Sequence, residues 1–227
     1  MKKVVLNYLV IAALAGAAAF TSCDKNNGDG DDGGNGNGNG GGGGMTITAT
    51  VENGSKFSNI VTVKAVVRDR STDKEVEIAS GDFKNGGFTI KLPATVDAKY
   101  LSAWEDDEIP STVTVSNKNA KTTGVDFRGV DKDGEHVTWF YQAKFTDTSG
   151  TDADYIYSDG DVNITGTYSE TDENEKRTEV YSITWKKGWN IVYATGTEVE
   201  KDGFYTYNYV ITSVPVTGLK WYASQDM

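Results

Sequence analysis

The stretch that decides the fold is Tyr181-Ser-Ile-Thr-Trp-Lys-Lys-Gly-Trp-Asn-Ile-Val-Tyr193, in which large apolar side chains alternate with polar ones on both sides of a turn. This alternation indicates two half-buried strands joined as a hairpin. A three-residue loop over 186–188 pairs Trp185 with Trp189 and gives Gly188 the left-handed conformation. A two-residue loop would place the apolar side chains of one strand on the solvent-exposed face of the hairpin. We therefore expect the three-residue loop.

The same reasoning applies to the next turn, Lys201-Asp202-Gly203. A three-residue loop there pairs Val199 with Tyr205 and Tyr193 with Ile211. Both turns then place one continuous aromatic face on a three-stranded antiparallel meander.

Other strands of the second half follow from alternation. Val137, Trp139, Tyr141, Ala143 and Phe145 form a predicted apolar face, and Leu219–Tyr222 is a predicted edge strand. Two further strands are predicted at Tyr155–Tyr157 and Asp161–Ser169, with loops at Asp147–Asp154 and Glu170–Arg177.

The first half carries its own strand signals. Asn59–Asp69 alternates, with Val61, Val63, Ala65 and Val67 on one face. Glu75–Ser80 and Gly87–Leu92 are predicted to form a hairpin around Asn85-Gly86-Gly87, with Phe88, Ile90 and Leu92 facing the core. Shorter strands are predicted at Thr46–Val51, Lys99–Trp104, Thr112–Ser116 and Gly124–Val130.

These patterns predict an all-β protein, an antiparallel β-sandwich made of two small units, 45–128 and 129–227. One continuous two-sheet sandwich is the alternative. The chain has 227 residues and only three prolines, and the folded part is long enough for either arrangement.

The N-terminus, MKKVVLNYLVIAALAGAAAFTSC, has two lysines followed by a short apolar run, the layout of a secretory signal. Its end, Phe20-Thr21-Ser22-Cys23, resembles the lipobox of bacterial lipoproteins. The resemblance implies a signal peptide over 1–22 and fatty acyl chains, including palmitate, on Cys23. An ordinary secretory signal that ends near a cysteine is the alternative.

Residues 23–44 read CDKNNGDGDDGGNGNGNGGGGG. No side chain here can enter a core, so a flexible linker is expected. The acids behind the cysteine are similar to the export signal of surface lipoproteins in the Bacteroidota. That resemblance implies a lipid anchor in the outer membrane and display on the cell surface. A domain that faces the periplasm is the alternative.

The hairpin Ser80-Gly-Asp-Phe-Lys-Asn-Gly-Gly-Phe-Thr-Ile-Lys-Leu-Pro93 resembles that of transthyretin-like, or carboxypeptidase-regulatory, domains of exported Bacteroidota proteins. The resemblance covers residues 79–93. It implies an Ig-like sandwich over 45–128 and a non-catalytic role, which is the general case in that family.

The candidate chemistry is sparse. Net charge is −11, which argues against nucleic acid as a partner. His136 is the only histidine and Cys23 the only cysteine, and no serine lies in a G-x-S-x-G elbow, so no catalytic residue is assigned. We expect a protein that is not an enzyme and has no cofactor, although paired carboxylates for glycoside hydrolysis are not visible in a sequence.

Clustered acids raise the alternative of a calcium site, because Ca²⁺ takes six to eight oxygen ligands. The weak candidates are Asp131, Asp133, Asp159 and Asp161, and Asp152 and Asp154 lie near the second pair in sequence. Neither run has EF-hand spacing, and Asp and Gly are favoured in turns for conformational reasons.

Aromatic side chains are the remaining lead. Trp104, Trp189 and Trp221 are candidate ligand-binding residues, although core packing explains tryptophans of this kind as well. The sequence therefore favours a non-catalytic surface binding or structural module with a protein partner. A carbohydrate-binding protein that uses exposed aromatics is the alternative.

Overall fold

The structure is a computed structural model that describes residues 44–104 and 109–224. Strands dominate these ranges, with two short 3-10 helices at Gly54–Lys56 and Ala98–Tyr100, and the predicted all-β class is confirmed. The strands are β1 (Thr46–Thr50), β2 (Thr62–Asp69), β3 (Lys74–Lys84), β4 (Gly87–Lys91), β5 (Val113–Val115), β6 (Thr122–Val130), β7 (His136–Phe145), β8 (Ser149–Ser158), β9 (Val162–Thr171), β10 (Glu175–Trp185), β11 (Gly188–Lys201), β12 (Phe204–Thr212) and β13 (Lys220–Ser224).

These strands form one hydrogen-bonded path in the order β1-β4-β3-β2-β6-β7-β8-β11-β12-β10-β9-β5, with β13 beside β7. The named strands pair antiparallel except β10 and β12, which run parallel. The sheet is therefore mixed, and the expectation of antiparallel pairing is wrong for β10. Parallel neighbours need a crossover, and here β11 supplies it by forming on the far side of β12.

The predicted hairpin between β10 and β11 is wrong. Trp185 pairs with Val162 of β9, and Trp189 pairs with Tyr157 of β8. The two tryptophans also enter different hydrophobic clusters. Alternation predicts which side chains of a strand are buried, but it does not predict which strand pairs with it. Here the apolar residues of β10 and β11 pair with different strands, and the two tryptophans pack in different clusters.

The β11–β12 hairpin confirms antiparallel pairing but not the predicted register. Lys201 pairs with Phe204, so the loop has two residues, Asp202 and Gly203, with φ of 55° and 80°. Two positive φ values define a type I′ turn, and aspartate tolerates the first of them. Tyr193 consequently pairs with Thr212, and the predicted three-stranded aromatic face is wrong.

The front hairpin is confirmed. Asn85 and Gly86 have φ of 53° and 75° and join β3 to β4 as a two-residue turn. Phe88, Ile90 and Leu92 are buried as predicted.

The strand that follows Asn59 is confirmed with one exception. Val63, Ala65 and Val67 are buried, and a β-bulge between Ala65 and Val66 buries Val66 as well. Val61 precedes β2 and is exposed, so its predicted burial is wrong.

Three local predictions are wrong because polar residues occupy strands. β8 begins at Ser149, inside the predicted loop Asp147–Asp154. The predicted loop Glu170–Arg177 is mostly strand, with only residues 172–174 between β9 and β10. Conversely, Lys99–Trp104 is no strand, since only Ser102 forms an isolated bridge, with Thr122.

The apolar face predicted for β7 is buried at Ala143 but open to solvent at its two C-terminal aromatics. Tyr141 and Phe145 are 39% and 52% exposed, whereas Phe140 is buried, with its ring 5.4 Å from Phe83 and 5.3 Å from Phe88. Both faces of β7 carry aromatics, so alternation does not show which face is inward. β7 pairs first with β6 and then with β8, and β6 also pairs with β8, so these strands meet at a three-strand junction.

Two hydrophobic clusters hold the sheet. The first includes Phe88, Phe127, Trp189 and Trp221, and the second includes Ile183, Trp185 and Ile211. The first takes residues from both sides of residue 128, and β6 itself spans that position. The division at residue 128 stays a prediction, as do the signal peptide, Cys23 and the linker, since residues 1–43 lie outside the described ranges. In residues 44–104 and 109–224 no helix is long and apolar enough to cross a membrane.

Candidate functional site

Four tyrosines share one face of three adjacent strands with an ion pair. Tyr207 pairs with Arg177 across β12 and β10, Tyr209 pairs with Glu179, and Glu179 pairs in turn with Tyr168 of β9. Side chains of directly opposite residues share a face, as do alternate residues of one strand. We call this set the tyrosine face; its members are Tyr168, Arg177, Glu179, Tyr205, Tyr207 and Tyr209.

The tyrosine rings are held by their neighbours. The rings of Tyr205 and Tyr207 are nearly parallel, with an interplanar angle of 10° and centroids 6.3 Å apart. The Arg177 guanidinium lies 4.9 Å from the centroid of Tyr209, a cation–π distance. Tyr209 also lies against Gly196 of β11, where an added Cβ would come within 2.8 Å of the ring. Glycine at 196 therefore lets this ring pack on the neighbouring strand.

A buried ion pair supports the face. Glu179 is 7% exposed, one carboxylate oxygen lies 2.6 Å from Arg177 Nη2, and the other accepts a hydrogen bond from the Tyr181 hydroxyl. Arg177 Nε is buried without a hydrogen-bond partner among the described residues. The Glu179 carboxylate is bound to both Arg177 and Tyr181, so it holds β10 in place beside the strands that carry the tyrosines.

Tyr168, Tyr207 and Tyr209 of this face keep their protons at neutral pH. Desolvation raises the pKa of Tyr209. Desolvation and a 2.8 Å hydrogen bond to Glu170 raise the pKa of Tyr168 to about 12. Each hydroxyl is therefore a donor as well as an acceptor.

Acidic side chains border the rings. Glu198 and Glu200 of β11 pair with Tyr207 and Tyr205, Glu175 of β10 also pairs with Tyr205, and all three are exposed. Glu170 is exposed opposite Arg177. Tyrosine rings that keep part of one face open, as Tyr205 does at 39% exposure, can pack on the C–H face of a neutral polyhydroxylated ligand. The carboxylates beside them can accept hydrogen bonds from its hydroxyls.

A second group of acids lies near the three-strand junction. Desolvation raises the pKa of Asp152 to about 7, and desolvation with the charge of Asp152 raises the pKa of Asp154 well above its ordinary value. Asp126 is exposed at the surface, but desolvation by the surrounding atoms and the charge of Glu75 raise its pKa to about 6. We call Asp126, Asp152 and Asp154 the carboxylate row.

The carboxylate row leaves one buried oxygen atom without a hydrogen bond. One carboxylate oxygen of Asp152, Oδ2, is buried with no hydrogen-bond partner in the described chain. In residues 44–104 and 109–224, no group of three or more His, Cys, Asp or Glu is placed to hold a metal ion. The raised pKa values of Asp152 and Asp154 link protonation of the row to folding stability.

The structure does not bring the predicted tryptophans together on a surface. Trp189 and Trp221 are 2% and 5% exposed, and Trp189 Nε1 donates to the Pro93 carbonyl at 2.8 Å. Trp104 is half-buried and stacks on Trp185 with centroids 6.2 Å apart. Their role in ligand binding stays a prediction, with no open ring face at Trp189 or Trp221.

The aspartates predicted as weak metal candidates stabilise turns. Asp131 Oδ1 accepts the backbone N–H groups of Asp133 and Glu135, at 2.9 and 3.0 Å. Asp159 Oδ1 accepts the N–H of Lys121 at 2.7 Å, and Asp161 accepts from Lys187 N–H and Lys186 Nζ, both at 2.9 Å. Asp133 Oδ2 accepts from Lys132 Nζ at 2.6 Å.

His136 is half-buried at the start of β7. Its Nδ1 accepts from Arg128 Nε at 3.1 Å, and its ring lies 5.0 Å from Trp139. These contacts tie the N-terminal end of β7 to β6.

Sequence reasoning did not single out the tyrosine face as a site. The signal was present as Tyr205-Thr-Tyr-Asn-Tyr209, where an aromatic at every second position marks one face of a strand. The parallel neighbour β10 brings Arg177 and Glu179 beside these rings, and no local pattern predicts that pairing.

The fold and the site define an all-β protein with a partly exposed tyrosine face, on which Tyr205 is exposed and Tyr168, Tyr207 and Tyr209 are half-buried. Comparisons of the chain with protein-family models, with curated proteins and with solved structures find no match.

Proposed function

We propose that the chain is a non-catalytic, lipid-anchored module of the bacterial outer membrane that binds glycans on the tyrosine face. The supporting observation is the row of tyrosine rings with adjacent exposed carboxylates on one sheet face. This role combines a surface-binding module with an aromatic platform, and the platform is made of tyrosines.

The charge of the face favours a neutral glycan. Arg177 is paired with Glu179, while Glu170, Glu175, Glu198 and Glu200 stand around the rings. An acidic sugar would meet like charge here, which costs binding energy. A neutral sugar offers hydroxyl donors to these carboxylates and apolar C–H faces to the rings.

Tyr207→Ala should weaken glycan binding by about five-fold, because a stacked aromatic contact contributes about 1 kcal/mol beyond its buried area. An array of neutral and acidic oligosaccharides identifies the ligand, and calorimetry with the best neutral oligosaccharide measures the affinity. Tyr141→Ala is the matched control, since Tyr141 is an exposed tyrosine on β7, outside the tyrosine face. Equal affinities for the parent and the Tyr207 variant, or binding confined to acidic glycans, would contradict the proposal.

Cys23→Ser should release the protein from the membrane, because the lipid would have no attachment site. Protease treatment of intact cells is expected to remove the parent protein from the cell surface, whereas the variant appears in a soluble fraction. Lys25→Ser, close behind the cysteine, is the matched control and should leave the protein in place. Resistance of the parent to protease until the outer membrane is opened would place the domain in the periplasm instead.

A further inference from the structure

β9 leaves part of one edge without a strand partner. On one side it pairs with β10 along its whole length, from Val162 opposite Trp185 to Thr171 opposite Lys176. On the other side β5 covers only Ile164–Gly166. No other described strand pairs with residues 167–171 on that side. We call this segment the free edge.

The backbone groups of the free edge point outward. Ser116 N–H donates to the Asn163 carbonyl at 2.9 Å, so Asn163 directs its backbone groups away from β10. Direction alternates along a strand. Thr167, Ser169 and Thr171 therefore direct N–H and C=O outward as well, and within the described chain no strand receives them.

Among the described residues, the free edge has few of the features that usually protect an edge strand. Such features are charged residues, above all lysine, as well as proline, a β-bulge or a covering element. The segment has one charged residue, Glu170, and the Thr112 carbonyl lies against Gly166 just before it. Residues 167–171 read Thr-Tyr-Ser-Glu-Thr, and β9 pairs with β10 without a register shift. Thr167, Ser169 and Thr171 are exposed. The edge is therefore a template for another strand.

We infer that the free edge pairs antiparallel with the free edge of a second copy of this chain, around a two-fold axis at Ser169. This register sets Thr167 opposite Thr171 of the second copy and Tyr168 opposite Glu170. Because the only charged residue, Glu170, then faces a tyrosine, no like charges are opposed. Tyr168 already donates to Glu170 within one chain at 2.8 Å, so the two groups are suited as neighbours.

The alternating direction of the backbone groups along β9 supports the same axis. Thr167, Ser169 and Thr171 all direct their backbone groups outward, so an axis at Ser169 makes every one of these positions a hydrogen-bonded pair. A parallel, in-register arrangement would instead place Glu170 beside its own copy, which is destabilising.

The pairing would join two tyrosine faces. A two-fold axis perpendicular to the sheet keeps both faces on the same side, so Tyr168 of each copy lies next to the other sheet. An interface of one short strand pair is small, and chains attached to one membrane gain from their high local concentration. The inference does not rest on glycan binding, because the edge and its register exist without a ligand.

Cysteine crosslinking in the full chain carrying Cys23→Ser tests the register, since Cys23 is the only native cysteine. The protein is held at roughly millimolar concentration, which replaces the local concentration that membrane attachment would give. In the inferred dimer the two Ser169 Cα atoms are about 5.5 Å apart, within the range of a disulfide. The two Thr167 Cα atoms are about 14 Å apart, beyond that range. Ser169→Cys should therefore oxidise to a dimer at least ten-fold faster than Thr167→Cys or Thr171→Cys alone.

A mixture of the Thr167→Cys and Thr171→Cys proteins should crosslink to each other at a rate near that of Ser169→Cys. Circular dichroism confirms that each variant is folded. Equal rates for all three single variants, or no dimer with Ser169→Cys, overturns the inference. Neither result bears on glycan binding, which Tyr207→Ala tests separately.

Discussion

Lowering the pH from 8 to 5 is expected to raise the free energy of unfolding by about 2 kcal/mol, the reverse of the usual effect of protonating carboxylates. The carboxylate row carries this effect, because the pKa values of Asp126 and Asp152 are raised to about 6 and about 7 and that of Asp154 is raised as well. The folded chain then binds more protons than the unfolded chain between pH 4 and pH 7. The resulting stability is complete below the unfolded pKa values and is lost as the pH rises through the folded ones.

Solvent screening reduces the expected change in the free energy of unfolding. A shift of one pKa unit corresponds to about 1.4 kcal/mol, but Asp152 and Asp154 are half-buried and Asp126 is exposed, so solvent screens much of the full effect. Below pH 4 the ordinary trend returns, because hydrogen bonds and ion pairs lower the pKa values of other carboxylates, such as Asp69 and Asp161.

Urea unfolding at pH 5, 6, 7 and 8 measures the effect. Asp152→Asn and Asp154→Asn should each stabilise the chain at pH 8 and flatten its pH dependence, because the amide carries no charge. Asp161→Asn is the matched control and should not flatten the profile between pH 5 and pH 8. A parent protein that loses stability steadily from pH 8 to pH 5 would contradict the assignment.

Alternation along the chain was enough to predict the all-β class, the front hairpin and the buried side of β2. It could not predict partners across the sheet, as Trp185 and Trp189 show. Both were expected to be buried and both are, but they lie in separate clusters. Each pairs with a strand from elsewhere in the chain, Trp185 with β9 and Trp189 with β8. A hydrophobic period is local, whereas the choice of neighbour depends on contacts far apart in sequence.

The turn at Asp202-Gly203 shows a finer limit. A one-residue difference in loop length changed every predicted pair along β11 and β12. The tyrosine face depends on that register and on the parallel neighbour β10, so the sequence alone could not assemble it. Trp189 and Trp221 lie in the core, since the larger aromatic side chain offers more area to it.

Glu179→Ala is expected to destabilise the folded chain by about 3 kcal/mol, because it leaves the guanidinium of Arg177 and the hydroxyl of Tyr181 without their shared partner. Glu179→Gln should cost less, since the amide oxygen still accepts a hydrogen bond. The double variant Arg177→Met with Glu179→Leu should recover most of the loss, because an apolar pair replaces both charges together. Urea unfolding of the three variants separates these effects. If Glu179→Ala alone were as stable as the parent, the ion pair would not fix β10, and the support proposed for the tyrosine face would be removed.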